Sequence, residues 1–151
     1  RPPTSVFDKK IISSIVLQSA LHFACLYVAT TVTEPFVNFD AEEMQPDADF
    51  KPNVINTVIY LLTLTMQTNS FVTNYRGRPF MESLSENRWL FRMVIASYVI
   101  VLICLTDCFE PLNDLLELSP FESEDHRITI LGVLIVNTAI SFMIDTVCRK
   151  L

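Results

Sequence analysis

Four apolar runs, parted by short charged stretches, organise the chain. No charged residue interrupts Ile11 to Thr33, Val54 to Tyr75, Met93 to Thr106 or Ile128 to Ile144. A transmembrane helix needs about 20 mostly apolar residues, within a range of roughly 17–25. The first two runs meet that length directly. The third gains it from Trp89, Leu90 and Phe91 through Arg92, whose long stem lets its charge snorkel to the headgroups. The fourth extends through Asp145 to Cys148. The pattern predicts an all-α integral membrane fold with four transmembrane helices at residues 11–32, 54–73, 89–106 and 128–148. Around them lie a lead-in at 1–10, acidic loops at 33–53 and 107–127, an arginine-rich loop at 74–88 and a tail at 149–151.

A soluble four-helix bundle is the competing fold, and each of its helices would show a polar face to water. The first run, IISSIVLQSALHFACLYVATTV, has no charged face. Its polar residues Ser14, Gln18 and His22 recur every four positions and share one side. The second run carries Asn56, Tyr60, Thr63, Gln67, Ser70 and Asn74 at alternating spacings of four and three, which predicts the side that packs on other helices and leaves Leu61, Leu62 and Leu64 to lipid or to other apolar helices. In the fourth, Asn137, Ser141 and Asp145 lie four apart, with Arg149 placed after Asp145 in the favourable order for a helical ion pair. Polar side chains inside bilayers turn inward and find partners, so helix packing is the first reading of the stripes on the first two runs, and a local Asp145–Arg149 pair that of the fourth. A polar path or an ion site is the other, and the second stripe includes no carboxylate to support it.

Composition agrees with the membrane reading. The chain has 151 residues, 50% of them hydrophobic, and only 19% are charged. Basic residues set the orientation. Arg1, Lys9, Lys10, Arg76, Arg78, Arg88, Arg92, Arg149 and Lys150 fall on one side of a four-span chain, against Lys51 and Arg127 on the other. Both termini and the 74–88 loop are therefore expected in the cytosol, and the two acidic loops in the lumen. Of Cys25, Cys104, Cys108 and Cys148, only Cys108 falls in a lumenal loop, so no disulfide framework is expected. The opening RPPTSVFDKK lacks a start methionine and reads as part of a longer chain.

The loops add local expectations. Gly77-Arg78-Pro79 signals a turn, and Phe80, Met81 and Leu84 suit a short surface helix with Pro79 in its first turn. Asn53 suits the N-cap of the second span. PLNDLLELSPF suits one or two amphipathic turns. The 33–53 loop has no glycine for a calcium-binding turn. No catalytic, cofactor-binding or metal-ligating constellation is legible, because the chain has neither a phosphate-cradling glycine loop nor His/Cys metal spacing.

The stretch NYRGRPFMESLSENR carries a specific likeness. Asn74, Tyr75, Arg76, Gly77, Pro79, Phe80, Met81, Glu82, Ser83, Leu84, Glu86 and Asn87 match the loop between the eighth and ninth membrane helices of the type-V P-type ATPases, subgroup A. The chain resembles helices seven to ten of that family in order, with further likeness in KPNVINTVIYLLTLTMQTNSF and RPPTSVFD and less in the acidic loops and the fourth span. The resemblance implies a parent enzyme of the endoplasmic reticulum membrane that hydrolyses ATP with Mg²⁺ through an aspartyl-phosphate. That parent extracts mistargeted or misoriented transmembrane segments. It also implies that these residues form a support bundle whose partners are lipid, the parent's remaining helices and cytosolic domains and, through the parent, client transmembrane segments, with no nucleic acid. The family's phosphorylated Asp-Lys-Thr-Gly motif is upstream of these helices, so no catalytic residue is carried over and ATP and Mg²⁺ belong to the parent. The alternatives are a stand-alone four-span scaffold or interaction protein, or a small channel built on Asn56–Asn74 and Asp145.

Overall fold

The computed structural model describes residues 9–37, 51–75, 77–78 and 81–150. Among them every regular element is a helix: α1 (Lys9–Thr33), α2 (Val54–Asn74), α3 (Arg88–Thr106), α4 (Glu110–Leu115) and α5 (Glu124–Lys150), with a 3₁₀ turn at Glu34–Phe36 closing α1. Three stretches among the described residues are long and apolar enough to cross a membrane, namely Lys9–Phe36, Arg88–Thr106 and Glu124–Arg149. Helix α2 has 21 residues, or about 32 Å at 1.5 Å per residue, but polar side chains along its length lower its hydropathy.

Local chemistry sets several of the helix ends. Asn53 caps α2 by accepting the Asn56 N–H at 2.8 Å, as the sequence predicts. Asn87 does the same for α3, accepting the Leu90 N–H at 3.1 Å. Asp107 ends α3 in the left-handed conformation at φ 55°, which a short polar side chain tolerates. Its carboxylate accepts from Asn113 Nδ2, and the same amide nitrogen reaches the Cys104 carbonyl. This ties α4 back onto the end of α3. Helix α4 realises the turn expected in PLNDLLELSPF.

Helix α5 packs on both α1 and α2, and α2 also packs on α1 and α3. Their shared core includes Cys25, Ala29, Val58, Leu61, Leu62, Cys104, Leu105, Ile130 and Leu134. Large apolar side chains cover the outside instead: Phe23 is 73% exposed and Trp89 75%. An exterior of this kind suits acyl chains and would associate in water.

The packing face of α2 differs from the sequence expectation. Within this unit Asn56, Tyr60, Thr63, Gln67 and Asn74 are exposed, whereas Leu61 and Leu62 are buried with Thr57, Val58, Thr65, Thr68, Asn69 and Thr73. The physical reason is that threonine hides its polarity inside a helix. Thr65, Thr68 and Thr73 donate to the carbonyls of Leu61, Leu64 and Asn69, each at 2.9 Å, and then bury like small apolar residues. A second stripe of the same period thus competes for the interior and takes it.

Candidate functional site

A chain of side-chain hydrogen bonds joins four helices near the middle of the bundle. Tyr98 on α3 donates its hydroxyl to Asn69 Oδ1 on α2 at 2.6 Å. Asn69 Nδ2 donates to Asn137 Oδ1 on α5 at 3.0 Å and to Thr138 Oγ1 at 3.2 Å. Asn137 Nδ2 lies 3.1 Å from His22 Nδ1 on α1, and His22 Nε2 lies 3.4 Å from Ser70 Oγ on α2. Asn69 and Asn137 are fully buried. An unpaired buried amide costs about 1–3 kcal/mol, so this chain fixes how the four helices meet.

One turn away the network continues. Gln18 donates to Ser14 at 3.2 Å, and Thr73 Oγ1 lies 3.3 Å from Gln18 Oε1. Asp145 accepts from Arg149 Nε at 2.7 Å, four residues on, while Arg149 Nη2 reaches the Thr73 carbonyl at 3.1 Å. Asp145 is thereby neutralised locally, and its partner clamps α5 to α2.

The residues singled out from sequence therefore divide. Asn137 and Asp145 enter the network, Ser70 meets it through His22, and Ser141 is fully buried with its hydroxyl unpartnered. Asn56, Thr63 and Gln67 stay on the opposite, exposed side of α2. Asn69 and Tyr98 escaped the sequence reading. Asn69 falls outside the stripe scored on α2, and Tyr98 stands alone in an apolar run.

The 74–88 loop is bound to itself. Tyr75 donates its hydroxyl to the Glu82 carbonyl at 2.8 Å. Arg78 pairs with Glu86 through Nη2 and, at 3.3 Å, through Nε. The same carboxylate accepts the Ser83 N–H at 2.9 Å, in the manner of a capping box. The Arg78 guanidinium and then the Ser83 N–H hold the Glu86 carboxyl below the usual carboxylate range. Gly77 is required by close approach: an added Cβ would stand 2.8 Å from Ser83 Cα and 3.0 Å from the Glu82 carbonyl oxygen. In place of the expected surface helix, Leu84–Glu86 form a turn closed by the Glu86 and Asn87 N–H groups on the Ser83 carbonyl. Met81 and Leu84 are therefore not on a helical face. Arg76, Pro79 and Phe80 lie outside the described residues.

At the other end of the bundle, His126 on α5 is stacked on Phe36, with ring centroids 4.3 Å apart and planes 8° from parallel. Thr33 spends its hydroxyl hydrogen on the Ala29 carbonyl at 2.7 Å, so it accepts from His126 Nε2 at 2.9 Å. Thr57 and Ser119 exchange two further bonds, tying the start of α2 to the segment before α5.

Amides, hydroxyls, two imidazoles and a carboxylate paired with its own helix's arginine can orient helices and hold water. Among the described residues no three His, Cys, Asp or Glu side chains converge as metal ligands. The donor set does not fit a Mg²⁺–nucleotide complex, which requires free carboxylates beside phosphate-binding donors. No step of ATP chemistry is assigned to these residues.

Comparison with known proteins agrees with the loop's likeness. The family model described as cation transporting ATPase, C-terminus, matches residues 1–147. An endoplasmic reticulum transmembrane helix translocase of Aspergillus fumigatus is 32% identical over 152 residues, covering all of this chain and 11% of the relative. The Schizosaccharomyces pombe protein of the same description is 32% identical over 99% of this chain and 12% of its own length. A probable manganese-transporting ATPase, PDR2, of Arabidopsis thaliana is 36% identical over 80% of this chain and 10% of its own. This chain thus spans about a tenth of the length of these relatives. It belongs to the cation-transporting ATPase C-terminal family and corresponds to the C-terminal region of a type-V, subgroup A P-type ATPase.

Proposed function

We propose that the chain is the membrane support bundle of a P-type ATPase that uses ATP hydrolysis to extract mistargeted or misoriented transmembrane segments from the endoplasmic reticulum membrane. The observation that carries this reading is the outward polar side of α2. Asn56, Thr63 and Gln67 are exposed on a helix of spanning length, and amides facing hydrocarbon are costly. A surface of that kind calls for cover by further helices, and a chain matching 11–12% of its relatives leaves ample polypeptide to supply them.

In this reading all four long helices span. The domain limits follow the apolar runs, with spans at 11–32, 54–73, 89–106 and 128–148. Both termini and the 74–88 loop are cytosolic, and the acidic loops at 33–53 and 107–127 are lumenal. Its partners are lipid, the parent's remaining helices and cytosolic domains and, through the parent, client transmembrane segments. ATP and Mg²⁺ act in those other domains. The location is a multi-pass one in the endoplasmic reticulum membrane, in keeping with the relatives' names and three membrane-capable helices.

The test is a spin label at Gln67→Cys in the full-length protein in nanodiscs. Support-bundle packing predicts a label shielded from lipid-dissolved oxygen, and a label as accessible as one at Trp89→Cys would reject it.

A further inference from the structure

The groove between α1 and α2 has a volume of about 110 Å³ and is lined by Ser14, Gln18, Ser19, His22, Ser70 and Asn74, with Ile15 its apolar exception. Liquid water takes about 30 Å³ per molecule and enters cavities that offer polar partners. His22 contributes the titratable group, and its two ring nitrogens face different helices. We propose that His22 is a proton-binding site reached through a hydrated groove, and that proton binding there weakens the joint between α1, α2 and α5.

Donor directions fix the state of the imidazole. Thr138 Oγ1 donates to the Leu134 carbonyl at 2.9 Å, so its remaining capacity is to accept, and Asn69 must point Nδ2 at it. That orientation turns Asn69 Oδ1 toward the Tyr98 hydroxyl and offers the second Nδ2 hydrogen to Asn137 Oδ1. Asn137 then has only Nδ2 to present to His22 Nδ1. The imidazole is therefore neutral, with its proton on Nε2 beside Ser70. A second proton, on Nδ1, would set N–H against N–H at Asn137. Turning the Asn137 amide moves the conflict to Asn69. Turning Asn69 draws the Thr138 hydroxyl off the Leu134 carbonyl and leaves the Tyr98 hydroxyl facing Nδ2 without its acceptor. No rearrangement of these side chains satisfies every member once the imidazolium forms.

Nothing charged lines the groove to offset this. On α1, Lys9 and Lys10 begin the helix well before His22. Helix α2 presents Ser70 and Asn74. On α5 the charged pair Asp145–Arg149 is tied to itself and to Thr73. On α3 the Tyr98 phenol acts only through Asn69. Histidine is the side chain whose ordinary titration falls nearest neutrality, so acidification is the condition that would load this site.

The test is hydrogen–deuterium exchange of the full-length protein in nanodiscs, corrected for the intrinsic pH dependence of exchange. Between pH of about 8 and about 5, peptides covering residues 66–74 and 134–141 should exchange roughly tenfold faster, the scale set by an unmade buried hydrogen bond. His22→Asn, whose Oδ1 can accept from Asn137 without titrating, should abolish the change, and His126→Asn should keep it. A wild type with no pH effect, or a His22→Asn protein that retains it, overturns the proposal. Should His22→Asn fail to fold, Asn137→Asp decides, since its carboxylate accepts from Nδ1–H, removes the clash of two donors, and should abolish the acid-induced rise in exchange. A rise that persists in Asn137→Asp would reject the site. Ser19→Cys, in a background lacking the other cysteines, should react with a membrane-impermeant thiol reagent, and failure to react would reject the hydrated route.

Discussion

Asn69 on α2 and Asn137 on α5 meet through a 3.0 Å amide hydrogen bond with both side chains fully buried. Asn69 also accepts from Tyr98 and donates to Thr138, and Asn137 donates to His22. Asn69→Ala removes three bonds and strands two amide or hydroxyl partners. The expected loss is about 1–2 kcal/mol, above the roughly 0.6 kcal/mol average for single polar contacts in membranes. Thermal unfolding of the full-length protein in detergent checks it. A fall in folded yield with ATP turnover per folded molecule preserved agrees with a supporting role; abolished turnover in a well-folded protein would not.

The outward stripe on α2 makes a smaller claim. Gln67→Leu should weaken docking of the bundle on the remaining helices by about 0.6 kcal/mol. The same unfolding measurement would register this as a slight shift, and an effect as large as that of Asn69→Ala would place Gln67 in a tighter role.

Gly77→Ala tests the self-bound loop. Its Cβ would sit 2.8 Å from the Ser83 backbone, which forces the loop open because backbone cannot give way as a flexible side chain does. Limited proteolysis within residues 74–88 should accelerate while the apolar helices stay protected. Unchanged cleavage would mean that the Gly77–Ser83 approach does not hold in solution.

Glu86 gives the loop a pH dependence of known sign. Its folded carboxyl titrates below the ordinary range because of Arg78 and then Ser83. The contribution is therefore fully present above the unfolded value of about 4.3 and disappears as pH falls through the lower folded value. Loop exchange measured across that acidic window should rise in the wild type and stay flat in Glu86→Gln.

Cys108 reports the orientation. It is exposed, whereas Cys25, Cys104 and Cys148 are buried. An impermeant maleimide added to sealed endoplasmic reticulum vesicles should leave the Cys108 peptide unlabelled until the membrane is opened. Labelling from the cytosolic side would reverse the assigned topology.

Much of this architecture is legible in the sequence because long uncharged runs have few other uses. Asn53 read correctly as a cap and Asp145–Arg149 as a local ion pair. The packing side of α2 did not, since threonine scores as polar yet buries by bonding its own helix. Thr33 and His126, 93 residues apart, could not be paired from spacing, because long-range partners depend on how the helices lean together. The 74–88 motif was readable as a likeness, but the reason for Gly77 needed the folded loop.

The most direct measurement is the mass of the native polypeptide on a membrane immunoblot, using an antibody raised against residues 140–151. The account predicts a band several times heavier than the 17.2 kDa of this chain, and the same band should take up phosphate from ATP. A band near 17.2 kDa would contradict it and bring a free-standing four-helix membrane protein forward.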